Sequence, residues 1–479
     1  MIAIVVSRAD RASQHIGDQL IKLGDWTERD DDSRPDAAGG GTVYEMDGCE
    51  LREFEQLHIH MDDPVPAFSR PEIISAVVFV SRHSGDTGPL LTAHFTGNFG
   101  VAEYGGSPKS VAPAAPTIHS RLVDRFTAHA PSDYEVGIEC THHGPTDLSV
   151  PSLFAELGSD DPQWDDPAGA AAVAQAVLDV VSTAELSETD APAESGETGE
   201  PGSQRHLVGF GGGHYVPRFT RILEETSWAI GHIASDWQLD ALGAPESGRD
   251  VIQQAFTASR ADYAIIEGTH PALRAVIEDL GYRVVSETWV NVVADRPLTV
   301  VDAVESSLSS VTDGLRFGTE RPPAPADGWK SADPEVVADD LVIHALPDAL
   351  ISRAQGVDLD RTREIIAQHT VAFETEEGGS RVGGRAATVS VTAYEAIITG
   401  LVTVLRDHYD SVEREPGAVV AREDTFDPDL AKTRGVPEGP AFGKLAAGTP
   451  VDINGDRVTP AQVSRVIEDR FPVDTPNRR

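Results

Sequence analysis

Chemistry-bearing side chains crowd most densely into Glu139-Cys140-Thr141-His142-His143-Gly144-Pro145-Thr146-Asp147. Five groups able to move a proton or hold a metal (Glu139, Cys140, His142, His143 and Asp147) fall within nine positions. The segment follows an apolar run that reads as a strand, Tyr134–Glu139. Adjacent histidines leaving a strand point to opposite sides, so one is expected to face a site and the other to brace the loop. Glu139 with a histidine pair can supply a metal ligand set, or a general base with its orienting partner. Cys140 beside His142 has the makings of a nucleophile, but a cysteine inside a buried strand reads first as a small packing group.

Five further clusters lie at the ends of predicted strands. Ser81-Arg82-His83-Ser84-Gly85-Asp86 offers a metal or leaving-group partner, or only a capped turn. In His94-Phe95-Thr96-Gly97-Asn98-Phe99-Gly100 the glycines allow close backbone approach to a substrate, and equally an ordinary turn. Gly209-Phe210-Gly211-Gly212-Gly213-His214-Tyr215-Val216-Pro217-Arg218 places a glycine-rich turn before a helix, a backbone cradle for an anion or carbonyl, with Arg218 as a bidentate phosphate partner. It lacks the Lys-Ser/Thr ending of a P-loop and the glycine spacing of the dinucleotide fingerprint. Gly231-His232 and Glu267-Gly268-Thr269-His270 complete a polar rim drawn from separate strand ends, as a catalytic crevice requires. There is no Gly-x-Ser-x-Gly elbow, which disfavours a serine nucleophile.

Elements that position such a rim are legible over the first 290 residues, where short apolar runs alternate with amphipathic segments. Strands are expected near residues 1–6, 57–60, 76–80, 91–95, 134–139, 206–210, 228–232, 263–267 and 283–285. Helices are expected near 11–23, 117–129, 167–182, 249–259 and 270–280. This is an α/β pattern: a mixed, mostly parallel sheet with helices on both faces. Residues 1–300 read as the catalytic domain, with inserts at about 29–41 and 185–204. Residues 301–325, ending in Pro322-Pro323-Ala324-Pro325, read as a linker, and 326–479 as a mainly helical C-terminal extension.

Composition narrows the setting. The 479 residues carry 78 acids against 38 Lys and Arg, a formal charge of −40. Residues 1–300 hold 47 acids against 19 bases, so the excess is not a local tail. Only five bases are lysines, and acid excess with lysine depletion resembles the cytosolic proteins of extreme halophiles, where molar salt cuts the Debye length to about 3 Å. Two cysteines exclude a disulfide scaffold and a four-thiolate zinc site. No apolar run approaches the roughly 20 residues of a membrane span, and the N-terminus shows no basic leader, so a cytoplasmic protein without a membrane is expected.

Thr141-His142-His143-Gly144-Pro145-Thr146-Asp147, the Gly211-Gly212-Gly213-His214-Tyr215 turn and the opening Ile4-Val5-Val6-Ser7-Arg8-Ala9-Asp10 together resemble the archaeal and plant type of D-aminoacyl-tRNA deacylase. The resemblance covers residues 1 to about 290. It implies a fold similar to the phosphorylase/peptidyl-tRNA hydrolase type, hydrolysis of the ester joining a D-amino acid to tRNA, zinc as cofactor, and the acceptor end of D-aminoacyl-tRNA as partner. A monomer is expected. On that basis Glu139, His142, His143, His214, Gly212 and Gly213 are the expected catalytic residues, with the amides of Gly211–Gly213 facing the oxyanion. Arg82, Phe95, Asn98, Tyr215 and Arg218 are expected to bind substrate, and His94, Glu139, His143 and His232 to hold the metal. A small electropositive pocket around Arg218 should interrupt the acidic surface. Gly439-Pro440-Ala441-Phe442-Gly443-Lys444-Leu445-Ala446-Ala447-Gly448 looks like a peptide of the tRNA 3′-processing endonucleases, but the chain lacks their His-x-His-x-Asp-His signature. Competing readings are a zinc amidohydrolase or peptidase on a small substrate, a nucleoside phosphorylase, and a non-catalytic tRNA-binding factor. The clustering of histidines with carboxylates favours catalysis, since binding alone asks for Arg, Lys and aromatics.

Overall fold

The computed structural model describes residues 1–182, 204–324 and 333–473. The acidic insert expected at 185–204 lies outside them except for its last residue. The chain divides into two compact units, Met1–Asp295 and Arg296–Arg479.

Among the described residues the first unit holds fourteen strands: β1 (Ile2–Ser7), β2 (Thr27–Asp31), β3 (Gly41–Met46), β4 (Cys49–Phe54), β5 (Ala76–Arg82), β6 (Leu90–His94), β7 (Gly97–Asn98), β8 (Ser110–Val111), β9 (Glu135–Ile138), β10 (Ser152–Gly158), β11 (Arg205–Phe210), β12 (Trp228–Ala234), β13 (Tyr263–Ile266) and β14 (Arg283–Val285). Eight form a mixed sheet in the order β2-β3-β4-β1-β5-β10-β6-β9, and four form a second, all-parallel sheet in the order β12-β11-β13-β14. Strands buried on both faces read as continuous apolar runs, as in Ile2-Ala3-Ile4-Val5-Val6, all at most 1% exposed. Helix α1 (Arg11–Leu23) starts where Asp10 caps it, accepting from the Ala12 and Ser13 amides, and buries Ala12, Ile16 and Leu20. Helices α2 (Pro116–His129), α3 (Asp161–Trp164), α4 (Pro167–Ser182), α5 (Pro217–Glu225) and α6 (Asp236–Leu242) follow in the chain.

Strand direction decides where a site can form. β1, β4, β5 and β10 run one way, while β6 and β9, parallel to each other, run antiparallel to β10. The carboxyl ends of β5 and β6 therefore leave opposite edges of the sheet. A crevice at one common edge, the expectation for an open parallel sheet, is replaced by a site over the face of β10, where loops from both edges meet.

Three local expectations change. Leu57–His60 is not a strand but contains a 3-10 turn, His58–His60. The insert at 29–41 begins inside β2, an edge strand whose first four residues are exposed, so it lacks the apolar alternation by which a half-buried strand is recognised. Residues 301–325 are not a plain linker: they include most of helix Leu298–Ser307 and strand Arg316–Phe317, which pairs with Ala372–Glu376.

The second unit carries more strand than its texture suggests. A four-stranded antiparallel sheet joins Arg316–Phe317, Ala372–Glu376, Arg381–Thr388 and Val342–Ala345, and a three-stranded one joins Ser411–Glu415, Ala418–Phe426 and Ser464–Pro472. Helix Val391–Leu405 buries Ile397, Ile398 and Leu401 in the unit's main core. Helices remain the larger share, and strands such as Ser-Arg-Val-Ile-Glu-Asp-Arg-Phe-Pro (464–472) escape a sequence reading because they are charged and largely exposed, leaving no apolar alternation to read.

Candidate active site

Four elements deliver the side chains. β5 ends at Arg82 and releases His83, β6 ends on His94, and β9 ends at Ile138 and releases Glu139. Under them, β10 presents Phe154 opposite His94 and Glu156 opposite Thr92 and Ser81, two residues apart and so on one face. Phe154 is a nearly dry floor: its ring stacks on Phe79 at 4.8 Å and on His94 at 5.1 Å.

The segment after β9 is tied to the second sheet. The Cys140 amide donates to His214 O at 2.9 Å, the Thr141 amide to Ile233 O at 2.9 Å, and the Gln238 side chain, from α6, to Thr141 O. His143 sits at φ 45°, a left-handed turn that swings its ring back beside His142. Gly144 permits this because any Cβ there would lie 2.3 Å from the Gly106 amide nitrogen.

Two charge regimes share the pocket. On one side Glu139, fully buried, accepts from His214 Nε2 at 2.6 Å through Oε2 and lies 3.2 Å from His83 Nδ1 through Oε1. Glu156 accepts from Ser81 Oγ at 2.7 Å and lies 3.7 Å from His83 Nδ1 and 3.4 Å from His94 Nε2. Burial works against every charge here, yet the pairings win: His83 is lifted to about 10 by Glu139 and Glu156. His214 is lifted to about 10 by Cys140 and Glu139. Both glutamates are held well below the usual carboxylate range, against their burial, by the histidines they touch.

On the other side His142 and His143 stay neutral. Burial pushes both down, His143 to about 4, and the charge drawn onto His94 by Glu156 pushes the same way. Their Nδ1 atoms, with that of His94, lie against backbone carbonyls: His142 on Cys140 O at 2.8 Å, His143 on Gly144 O at 2.7 Å, His94 on Phe95 O at 3.1 Å. An Nδ1–H that donates to a carbonyl leaves Nε2 as the free position on all three rings. The rings pack at 4.2 Å for His94–His142 and 4.5 Å for His142–His143.

A cavity of about 290 Å³ opens onto these groups. Of the expected site residues, Glu139, His142, His143, His214 and Arg82 line it, and His94 packs behind His142 and His143. Tyr215 reaches it indirectly, its hydroxyl 3.2 Å from His83 Nε2. Others stand elsewhere. Both His232 nitrogens are taken, Nδ1 by Thr141 Oγ1 at 3.0 Å and Nε2 by Ala112 O at 2.8 Å, so it is no metal ligand here. Phe95 is buried between His119 and His232, and Asn98 bonds the Gly105 and Ser107 carbonyls, so both build the scaffold rather than face a substrate. Gly212 and Gly213 do not line the cavity, and the Gly211 amide donates to Ala234 O at 2.8 Å. Arg218 is no free phosphate partner: its Nε binds Glu287 at 3.0 Å, away from the cavity lining. Positive charge in the pocket comes instead from His83, His214 and Arg82. Glu156, Asp10 and Tyr104, not anticipated as site residues, also line it.

Three sets of side chains can bring ligand atoms within 4.8 Å of one another: His94, His142 and His143; Glu139, His142 and His214; His83, Glu139 and Glu156. The first set suits a borderline ion such as zinc best. Two of its imidazoles are neutral, each Nδ1 is anchored on a carbonyl as metal-bound histidines commonly are, and the buried His94 Nε2 has no hydrogen-bond partner, Glu156 Oε1 being misaligned at 3.4 Å.

A dry α/β pocket joining ionised carboxylates, charged imidazolium and neutral imidazole is the equipment of a hydrolase that activates water. The comparisons narrow that class. The D-aminoacyl-tRNA deacylase family profile matches residues 71–285. The D-aminoacyl-tRNA deacylase of Halorubrum lacusprofundi is 53% identical, covering 99% of this chain and 97% of its own. That of Natronomonas pharaonis is 49% identical over 98% of this chain and 100% of its own. The Methanoregula boonei enzyme is 32% identical over 83% and 85%. The crystal structure of a conserved protein of unknown function aligns with a TM-score of 0.50 at 28% identity, covering 61% of this chain and 96% of that one. The chain belongs to the D-aminoacyl-tRNA deacylase family. Among the described residues no helix is long and apolar enough to cross a membrane.

Proposed function

We propose that the 290 Å³ cavity is where this chain hydrolyses the ester of D-aminoacyl-tRNA, with Glu139 as general base and His214 as general acid. The observation that carries this reading is the buried Glu139 carboxylate, gripped by His214 at 2.6 Å and His83 at 3.2 Å. Glu139 is ionised throughout the neutral range and takes a proton from the attacking water. His214, charged and one-third exposed at the mouth, gives its proton to the departing ribose oxygen. The 2.6 Å hydrogen bond then returns the proton from Glu139 to His214, which closes the cycle. Such a pair, set apart by environment, can contribute about 10²–10⁴-fold. His83, its Nδ1 3.2 Å from Glu139 and 3.7 Å from Glu156, is a positioning residue: its charge holds the Glu139 carboxylate in place.

His94, His142 and His143 are the residues that would hold zinc. Bound there, the ion would supply Lewis-acid polarisation and a more acidic water. The acid excess of the chain, −40 overall, supports an enzyme working in high salt on the acceptor end of the tRNA.

The test is a deacylation assay with matched D- and L-aminoacyl-tRNA, before and after chelation, on Glu139→Ala and His143→Ala. Loss of turnover with retained tRNA binding is expected in both. Undiminished turnover in both overturns the assignment, and equal rates on the two hands overturn the proofreading function.

A further inference from the structure

Among the described residues three aromatic side chains are exposed: Tyr104 at 66%, Tyr215 at 37% and Trp237 at 50%. Two of them stand at the same cavity, and the third is on a helix fastened to the segments that build it. Tyr104 lines it, and its carbonyl accepts from the Gly144 amide beside His143. Tyr215 follows His214, its hydroxyl 3.2 Å from His83. Trp237 is the second residue of α6, which is fastened to the site by the Asp236 amide on Gly212 O at 2.9 Å and by Gln238 on Thr141 O. The other Phe, Tyr and Trp rings among the described residues are at least partly covered, as expected for a surface carrying much of a −40 charge. Exposed rings gathered at and beside a reactive pocket mark a contact.

Charge says what the contact is. The net charge of the chain disfavours phosphate, and Arg218, the arginine nearest the glycine turn in sequence, is paired with Glu287. In molar salt the Debye length shrinks to about 3 Å, so phosphate steering is largely screened. Stacking of bases on aromatic faces does not depend on attraction between net charges and is a main recognition mode for unpaired nucleotides. We propose that Tyr104, Tyr215 and Trp237 form a stacking platform for the unpaired bases at the 3′ end of the tRNA, delivering the ester to Glu139. This inference rests on the deacylase reading and adds how the substrate is gripped.

The probe is uncharged tRNA with 2-aminopurine as its terminal base, whose fluorescence is quenched on stacking. The wild-type chain should quench it, with affinity changing little between about 1 M and 3 M KCl. Tyr104→Ala with Trp237→Ala should abolish quenching and raise KM for D-aminoacyl-tRNA by about 10-fold or more, with kcat within about twofold. Tyr104→Phe with Trp237→Phe should restore both, which a merely structural effect would not do. Quenching that survives the double alanine variant overturns the platform even if deacylation is intact. Unchanged quenching together with an altered oligomeric state would make the rim a contact between copies, and also overturns it. Quenching that is lost on substitution supports the platform even if no D-amino acid is released, so the two readings fail separately.

Discussion

The pocket's two halves use the same side chains in opposite states. His83 and His214 are charged because each lies against a carboxylate; His142 and His143, a few ångströms away, are neutral because burial and the charge on His94 outweigh the pull of the glutamates, Glu139 lying 3.9 Å from His142 Nε2. His214 and His142 rings are only 4.8 Å apart. Residue type thus says little about role; the partner at hydrogen-bond distance decides it. The charged half can exchange protons, and the neutral half can bind an ion or hold water.

The sharpest break of this contrast is Glu139→Gln. It removes the carboxylate that keeps His214 charged, so burial should bring the His214 pKa down from about 10 while base and acid are lost together. A fall of about 10²–10⁴-fold in single-turnover rate is expected, with His142 and His143 still neutral in NMR. If His214 keeps its high pKa in this variant, Glu139 is not what charges it.

On the neutral side, His143→Ala should lower turnover by about 10²-fold, the scale associated with losing one important site interaction. If the imidazole trio holds zinc, the variant should lose zinc in equilibrium dialysis, and chelation should do nothing further to it. An additive effect of chelator and substitution would place the ion elsewhere.

Glu156 tests how far the charged half also supports the fold. Replacing it by Ala strips His83 and His94 of a shared carboxylate and leaves the Ser81 hydroxyl only the longer bond to Arg82 O at 3.3 Å. Breaking a buried pairing costs about 3–5 kcal/mol, and the low end is expected because His94 can shed its proton. Denaturant titration measures this; a loss below about 1 kcal/mol would show that Glu156 is retained for chemistry and not for stability.

Glu156 also shows where sequence reasoning runs out. Helix α1 was readable to its end residues, because Asp10 caps it and Ile16 and Leu20 recur at helical spacing. Glu139, His142, His143 and His214 were readable because they follow strands. β10 was missed, since Ser-Leu-Phe-Ala-Glu-Leu-Gly is short and shows little periodicity, yet it supplies the site's floor and second carboxylate. A signal existed: one acid inside an otherwise apolar run is costly to bury without a partner. Strand direction was the other hidden fact. Nothing in β6 or β9 reports that they run against β10, so His94 and His232, alike at strand ends, parted into the site and the scaffold.

Arg218 makes the smallest prediction and sharpens the contrast most economically. As an anion-seeking residue after a glycine turn, it was the expected phosphate contact. Its guanidinium instead shares Glu287 with Arg221, an ion pair partly open to water. Pairs of that kind contribute about 0–1 kcal/mol, so Arg218→Ala should change KM for D-aminoacyl-tRNA by no more than about twofold, with a salt dependence parallel to wild type. A larger rise in KM that disappears in molar salt would return Arg218 to the phosphate. It would also mean that charge, and not the aromatic rim, brings the acceptor end to the pocket.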